Sequence, residues 1–453
     1  MKLSLPVLCV ALPFVSALIL ALVPSWRIGT RVNAAASSLL FLLSCLLLWY
    51  PREPTSLLRA GTPEVHLTLL TAFVAMTTSW MSVRYVSAAL ARRSIDRVRA
   101  RVYHVAYQAF VGAMVCALLS DNPALTWIML VVSIAAGAVL IGLPGSVTAP
   151  AAAWRMLQHC AVGLMLMLFG LLALTLAAGP NAAALHWSTI AASASHFHAA
   201  ALDLSVIFLV LGCATLAGLA PMHSWLVDAA AEGAAPGAIL LSTLAVNVPL
   251  LVILRVRDAV AVNAGVTVLL LALGLASLLL AACCQASRLD SRRLVASSGL
   301  AQIGIVGFAF GLGTQAAIFA GMLIMTMLSL TRASVLQCLD LEPSRASQRT
   351  CAVAVAVLLT LPLFALFLIA GATIDRASWL MLPLGGGVIL TFWTLVARLP
   401  VLALPAAARD RGGSGVEMLA LAPIWVQLAI TVLLAVAMPG PVVEWFHALA
   451  RAN

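Results

Sequence analysis

The chain has 453 residues, 63% of them hydrophobic and only 9% charged, with a formal net charge of +10 at pH 7 and a mean hydropathy of +1.11. A chain this apolar cannot expose most of its surface to water, which excludes a soluble globular enzyme and a disordered polymer. Apolar stretches of roughly 20 residues cross a bilayer as helices, because a helix satisfies its own backbone polar groups where there is no water.

Fourteen such spans are predicted, at residues 4–24, 33–50, 65–88, 102–119, 123–143, 154–178, 204–222, 236–256, 263–285, 294–312, 315–338, 351–371, 377–396 and 417–438. The first follows Lys2 but lacks a small-residue cleavage site, so it reads as a retained helix and not a signal peptide. Basic residues concentrate in alternate loops: Arg92, Arg93, Arg97, Arg99 and Arg101 after span 3, and Arg288, Arg292 and Arg293 after span 9. Arg345 and Arg349 follow span 11, and Arg409 and Arg411 follow span 13. By the positive-inside rule these loops face the cytoplasm, which places both termini on the outer side of a bacterial inner membrane. The positive charge is therefore a topology signal; the lipid bilayer is the expected partner and a nucleic acid is not.

The nine cysteines, Cys283 and Cys284 among them, have no zinc or iron–sulfur spacing. There is no phosphate-cradling glycine loop, no nucleophile constellation and no haem-ligating histidine pair. The expectation is a protein with no metal, no cofactor and no catalytic site of its own.

One stretch interrupts the apolar pattern: "GCATLAGLAPMHSWLVDAAAEGAAPG", residues 212–237. Pro221 removes a backbone donor, and a helix broken beside polar side chains marks a transport site in a membrane. The alternative is a loop that begins at Pro221, with Trp225 anchored at the interface and Asp228 and Glu232 solvated or capping a helix.

The segment "GLAPMHSWLVDA", residues 218–229, with His223, Trp225 and Asp228, resembles the signature of a family of antiporter-like membrane subunits. These occur in respiratory complex I, Mrp-type cation antiporters and membrane-bound hydrogenases. The likeness within that family is to component F of the hydrogenase-4 type. "AWRMLQHCAVGL" at 153–164, "LDSRRLVASSGLAQIG" at 289–304 with Arg292 and Arg293, "GIVGFAFGLGTQAAIFAGMLIMTMLSLTRAS" at 304–334 and "LPLFALFLIAGATI" at 361–374 resemble further parts in the same order.

The resemblance implies an all-α polytopic fold of fourteen helices: N-terminal helices in 1–101, a first five-helix repeat in 102–256, an inverted second repeat in 257–398, and a last helix and tail in 399–453. Each repeat would hold one broken helix, near Pro221 and Pro362. It also implies a mid-membrane proton relay of a glutamate and lysines, and here the chain departs from the pattern. The relay positions fall on Val131, Leu216, Asn247 and Ala370, none ionisable, and Lys2 is the only lysine in the chain. The family's histidines appear as Ile324 and Leu328, and a family lysine as Arg332. Arginine cannot release a proton, so Arg332 cannot relay one. Arg332 is either a fixed charge in the core or a side chain snorkelling to the helix end. His104 and His159 read as packing residues.

Two functions follow. One is a scaffold or weakly pumping membrane subunit of a hydrogenase-4-like or complex-I-like redox assembly, with other membrane subunits and hydrogenase-like soluble subunits as partners, and oxidoreductase only by membership. The other is a working proton or cation transporter with a path through His159, His223, Asn247 and Arg332. A membrane partner in inorganic-carbon uptake is a third possibility.

Overall fold

The computed structural model describes residues 4–50, 57–143, 146–179, 185–259, 264–287, 290–341, 344–360, 362–398 and 415–451. Arg288, Arg409, Arg411 and Lys2 lie outside them. The regular structure of the described residues is helical, with one isolated bridge between Leu58 and Ser120. The helices are α1 (Leu5–Leu22), α2 (Trp26–Leu46), α3 (Thr62–Ala91), α4 (Arg97–Leu119), α5 (Pro123–Gly142), α6 (Ala149–Ala178), α7 (Trp187–Ser193) and α8 (Ala199–Leu216). There follow α9 (Ser224–Glu232), α10 (Ala235–Thr243), α11 (Asn247–Ala259), α12 (Ala264–Ala286), α13 (Ser291–Leu312), α14 (Gln315–Leu339), α15 (Arg345–Thr360), α16 (Pro362–Ala377), α17 (Met381–Ala397), α18 (Gly415–Val436) and α19 (Gly440–Arg451).

Among the described residues eleven helical stretches are long and apolar enough to cross a membrane, or up to twelve if the pair Leu421–Val436 and Gly440–Arg451, bent by 80°, is one span. Helices α15 to α17 run together in one of these, Ala346–Ala397. Helix α3 is not among the eleven although it has 30 residues, because threonines and serines dilute its apolar content. The span predicted at 33–50 begins earlier, at Trp26: Arg27 and Arg31 lower the local hydropathy without ending the helix, and the Arg27 guanidinium sits 5.5 Å from the Trp26 ring centroid.

The chain forms two compact units, Met1–Gly218 with Glu232–Val266, and Leu219–Ala231 with Thr267–Arg451. In the first, α6 and α8 cross closely at glycines. A Cβ on Gly212 would stand 2.6 Å from the backbone nitrogen of Met167, and one on Gly170 2.7 Å from Leu209, so only glycine permits this approach. In the second, α13 and α14 are the most deeply buried helices and form an antiparallel hairpin. The turn is made by Gly313 at φ 70 and Thr314, whose hydroxyl accepts from the Ala317 nitrogen and caps α14.

Candidate functional site

The helix break at the motif begins before the proline. Helix α8 stops at Leu216 because Gly218 takes φ 76, which closes a C-terminal turn with Gly218 N donating to Thr215 O at 3.1 Å. The Ala220–Pro221 peptide is cis, and α9 starts at Ser224. In the second unit, Ala220 N donates to Ser277 Oγ at 2.8 Å. His223 Nδ1 donates to Pro221 O at 3.0 Å, which leaves Nε2 facing Cys284 Sγ at 3.8 Å.

Two sequence expectations for this stretch are corrected. Trp225 is no interfacial anchor, since it is 1% exposed and among the largest fully buried side chains. Asp228 does not stand in water alone: it accepts from Arg293 Nη1 at 3.2 Å. The other motif arginine, Arg292, pairs with Asp340 just beyond α14. Burial pushes the Asp340 carboxyl up to about 6, against the opposing pull of Arg292. Glu232, in the first unit, accepts from Thr148 Oγ1 at 2.5 Å.

Of the positions aligned with the relay, Val131, Leu216 and Asn247 lie in the first unit and Ala370 in the second. Val131, on α5, is half-buried, and so is Ala370, on α16. Leu216 is buried against α6, where a Cβ on Gly163 would stand 2.9 Å from its Cγ. Asn247 is 1% exposed and opens α11, directly after a second break in the helical run. Pro249 explains that break: it has no N–H for the Ala245 carbonyl, and its ring clashes with the preceding turn. Neither Asn247 amide atom has a hydrogen-bond partner among the described residues.

His159 is half-exposed and its Nδ1 donates to Arg155 O at 2.7 Å, one turn back on α6. His104 is 1% exposed, and neither ring nitrogen has a hydrogen-bond partner among the described residues. Arg332 is fully buried on α14. Its guanidinium lies against Gly299 of α13, in the space a Cβ there would take, and Nη2 reaches Ala296 O at 3.5 Å. Its Nε and Nη1 have no hydrogen-bond partner among the described residues.

Sequence reasoning misses an ion pair in the first unit. Glu64 Oε1, at the start of α3, accepts from Arg255 Nη2 at 2.8 Å. The same guanidinium donates to Leu118 O and Ser120 O, and lies 5.8 Å from the Trp187 ring centroid. Next to it Asp121 accepts from Ser188 N at 2.9 Å and Ser188 Oγ at 2.6 Å. The partners stand 191 residues apart, so no local pattern announces them.

Interrupted helices, buried unpaired polar atoms and a surface otherwise apolar define a polytopic helical membrane protein of the transporter-like kind. The family described as NADH:quinone oxidoreductase/Mrp antiporter, transmembrane, matches residues 120–397, and the chain belongs to it as an antiporter-like membrane subunit. It is 34% identical over 332 residues to a hydrogenase-4 component F homolog from Methylacidiphilum infernorum (isolate V4), covering 71% of this chain and 69% of that one. Its fold is similar to that of a chain of the membrane-bound sulfane sulfur reductase, an archaeal respiratory membrane complex, with TM-score 0.83 at 16% identity over 99% and 96% of the two chains. A chain of the Mrp complex from Dietzia sp. DQ12-45-1b gives 0.79 at 15% over 100% and 98%. A chain of respiratory complex I from Thermus thermophilus gives 0.80 at 18% over 99% and 98%. These structural relatives are all subunits of multi-subunit membrane complexes.

Proposed function

We propose that this chain is a scaffold subunit of a hydrogenase-4-like or complex-I-like assembly in the inner membrane, and that it does not pump ions through the family's relay. One observation carries the reading: Val131, Leu216, Asn247 and Ala370 are non-ionisable and the chain's only lysine is Lys2. An ionisable group inside a bilayer costs several kcal/mol, so it persists where function holds it and is replaced by apolar residues once that demand lapses. The burial of Leu216 against the α6 backbone supports such a replacement. Arg332 supplies a fixed positive charge and cannot hand on a proton.

The remaining elements of the reading are two inverted repeats at 102–256 and 257–398, termini on the outer side, and partners that comprise membrane subunits and hydrogenase-like soluble subunits. Native mass spectrometry of the tagged protein, extracted from its own membranes in mild detergent, tests the assembly. The expected result is a defined complex with other integral membrane chains and a soluble hydrogenase-like pair. Recovery of a stable monomer under conditions that keep other respiratory complexes intact contradicts it.

A further inference from the structure

Helix α3, 30 residues long, carries a buried polar stripe along one face. Glu64, Thr68, Thr71, Thr78 and Ser82 recur at steps of three, four and seven residues, which sets them on one face of a helix. All are buried, none more than 1% exposed. The Oγ1 atoms of Thr68, Thr71 and Thr78 and Oε2 of Glu64 have no hydrogen-bond partner among the described residues.

A threonine in an apolar helix ordinarily donates to a carbonyl of its own preceding turn. Thr77, on the same helix, does so to Val74 O at 3.0 Å. The three stripe threonines do not. Two tyrosines of α4 continue the row: Tyr107 Oη donates to Ala75 O at 2.5 Å, between Thr71 and Thr78, and Tyr103 Oη stands 2.6 Å from Ser82 Oγ. From residue 64 to residue 82 the row extends about 27 Å at 1.5 Å per residue, close to the roughly 30 Å of a hydrocarbon core. Neighbouring oxygens of the stripe are about one helical turn apart, within reach of a bridging water, except Thr71 and Thr78, which are two turns apart with Tyr107 Oη on the Ala75 carbonyl between them.

Leaving polar atoms buried and unpaired is costly, and ordered water is the partner that satisfies such groups where there is room for it. Further unpaired atoms lie on the neighbouring helices α2 and α4. On α4 both nitrogens of His104 and Oε1 of Gln108 lack hydrogen-bond partners among the described residues, as does Nδ2 of Asn33 on α2. Part-exposed side chains lie near each end of the row. Beyond Glu64 and Arg255 stands Asp121, 3.9 Å from Nδ1 of His186, a side chain 31% exposed. Beyond Ser82, the Tyr103 ring packs 6.0 Å from the half-exposed Tyr85.

We infer that α3 carries a file of water molecules that conducts protons across this subunit, along a route that uses none of the family's relay positions. Each hop breaks one O–H bond and forms the next, so no oxidant, reductant or net chemical change is required. The inference stands whether or not the relay is lost.

The test is uncoupled proton flux in liposomes containing the purified protein, driven by a potassium diffusion potential with valinomycin and read by an internal pH dye. Wild type is expected to conduct above protein-free liposomes. The near-isosteric double variant Thr71→Val with Thr78→Val is expected to lose at least tenfold of that flux, and Thr77→Val none of it. Hydroxyl-radical footprinting of the wild-type protein gives an independent reading, with Tyr103 and Tyr107 oxidised despite their burial. Equal flux in wild type and the double variant, or wild-type flux no greater than empty liposomes with both tyrosines unmodified, overturns the proposal.

Discussion

Glu64 and Arg255 meet at 2.8 Å inside the first unit, with side chains 1% and 5% exposed. The pair ties the start of α3 to the last turns of α11, and the carbonyls of Leu118 and Ser120 take two more of the guanidinium's donors. Truncating one partner leaves the other charged and buried, whereas removing both leaves no buried charge and only the Leu118 and Ser120 carbonyls without that donor. Arg255→Leu is therefore expected to cost about 3–5 kcal/mol, and Arg255→Leu with Glu64→Leu much less. A double-mutant cycle on thermal unfolding in detergent measures this, and additive losses would show that the two side chains do not depend on each other.

The contact between Arg332 and Gly299 gives a second cycle. An alanine at 299 places its methyl where the guanidinium lies, so Gly299→Ala should lower stability by about 1–3 kcal/mol through overpacking. Arg332→Met removes the planar head, and in that background Gly299→Ala should cost little. If Gly299→Ala is equally damaging in both backgrounds, the arginine does not occupy that space.

At the end of α3 an arginine stands where glycine is normally found. Arg93 has φ 55, its nitrogen donates to Leu90 O at 3.1 Å, and Ser94 N reaches Ala89 O at 3.0 Å, which is the hydrogen-bonding of a Schellman turn. A left-handed conformation costs a side-chain-bearing residue roughly 1–2 kcal/mol, offset partly by the greater freedom of glycine in the unfolded chain. Arg93→Gly should raise the unfolding temperature, by up to about 1 kcal/mol of added stability. A lower temperature would mean that the arginine side chain makes a stabilising contact of its own.

Restoring charge at the relay positions tests their equivalence to the family's. Leu216→Lys alone buries an ammonium against the α6 backbone and should cost several kcal/mol. Val131→Glu alone should also destabilise. If the two positions face a shared cavity, the double variant should be more stable than the sum of the single losses predicts. Strict additivity in expression and thermal stability would remove the alignment on which the lost relay rests.

Much of this architecture is legible in the sequence because long apolar runs have few alternatives to a helix. The interruption near Pro221 is visible too, although Gly218 ends the helix and the proline only follows. The break before Asn247 goes unseen because Pro249 sits past the gap, inside what reads as one continuous apolar run. Averaged hydropathy likewise hides the stripe on α3: Thr68, Thr71 and Thr78 merely dilute a greasy segment, and only their periodicity shows that they share a face. The Glu64–Arg255 pair has no local signal at all, since tertiary packing alone brings residues so far apart in the chain together. That Trp225 is buried is equally a property of the packed unit, because tryptophans beside helix ends occur at interfaces as well as in cores.

The measurement that bears most directly on the functional account is cation-coupled proton exchange by the purified subunit in liposomes: an acid-inside pH gradient is imposed and its collapse is followed on adding sodium or potassium outside. With no titratable lysine or glutamate at Val131, Leu216, Asn247 and Ala370, the account predicts that neither cation accelerates the collapse, whatever uncoupled proton flux α3 supports. Saturable acceleration by either cation would contradict it and make this chain a working antiporter.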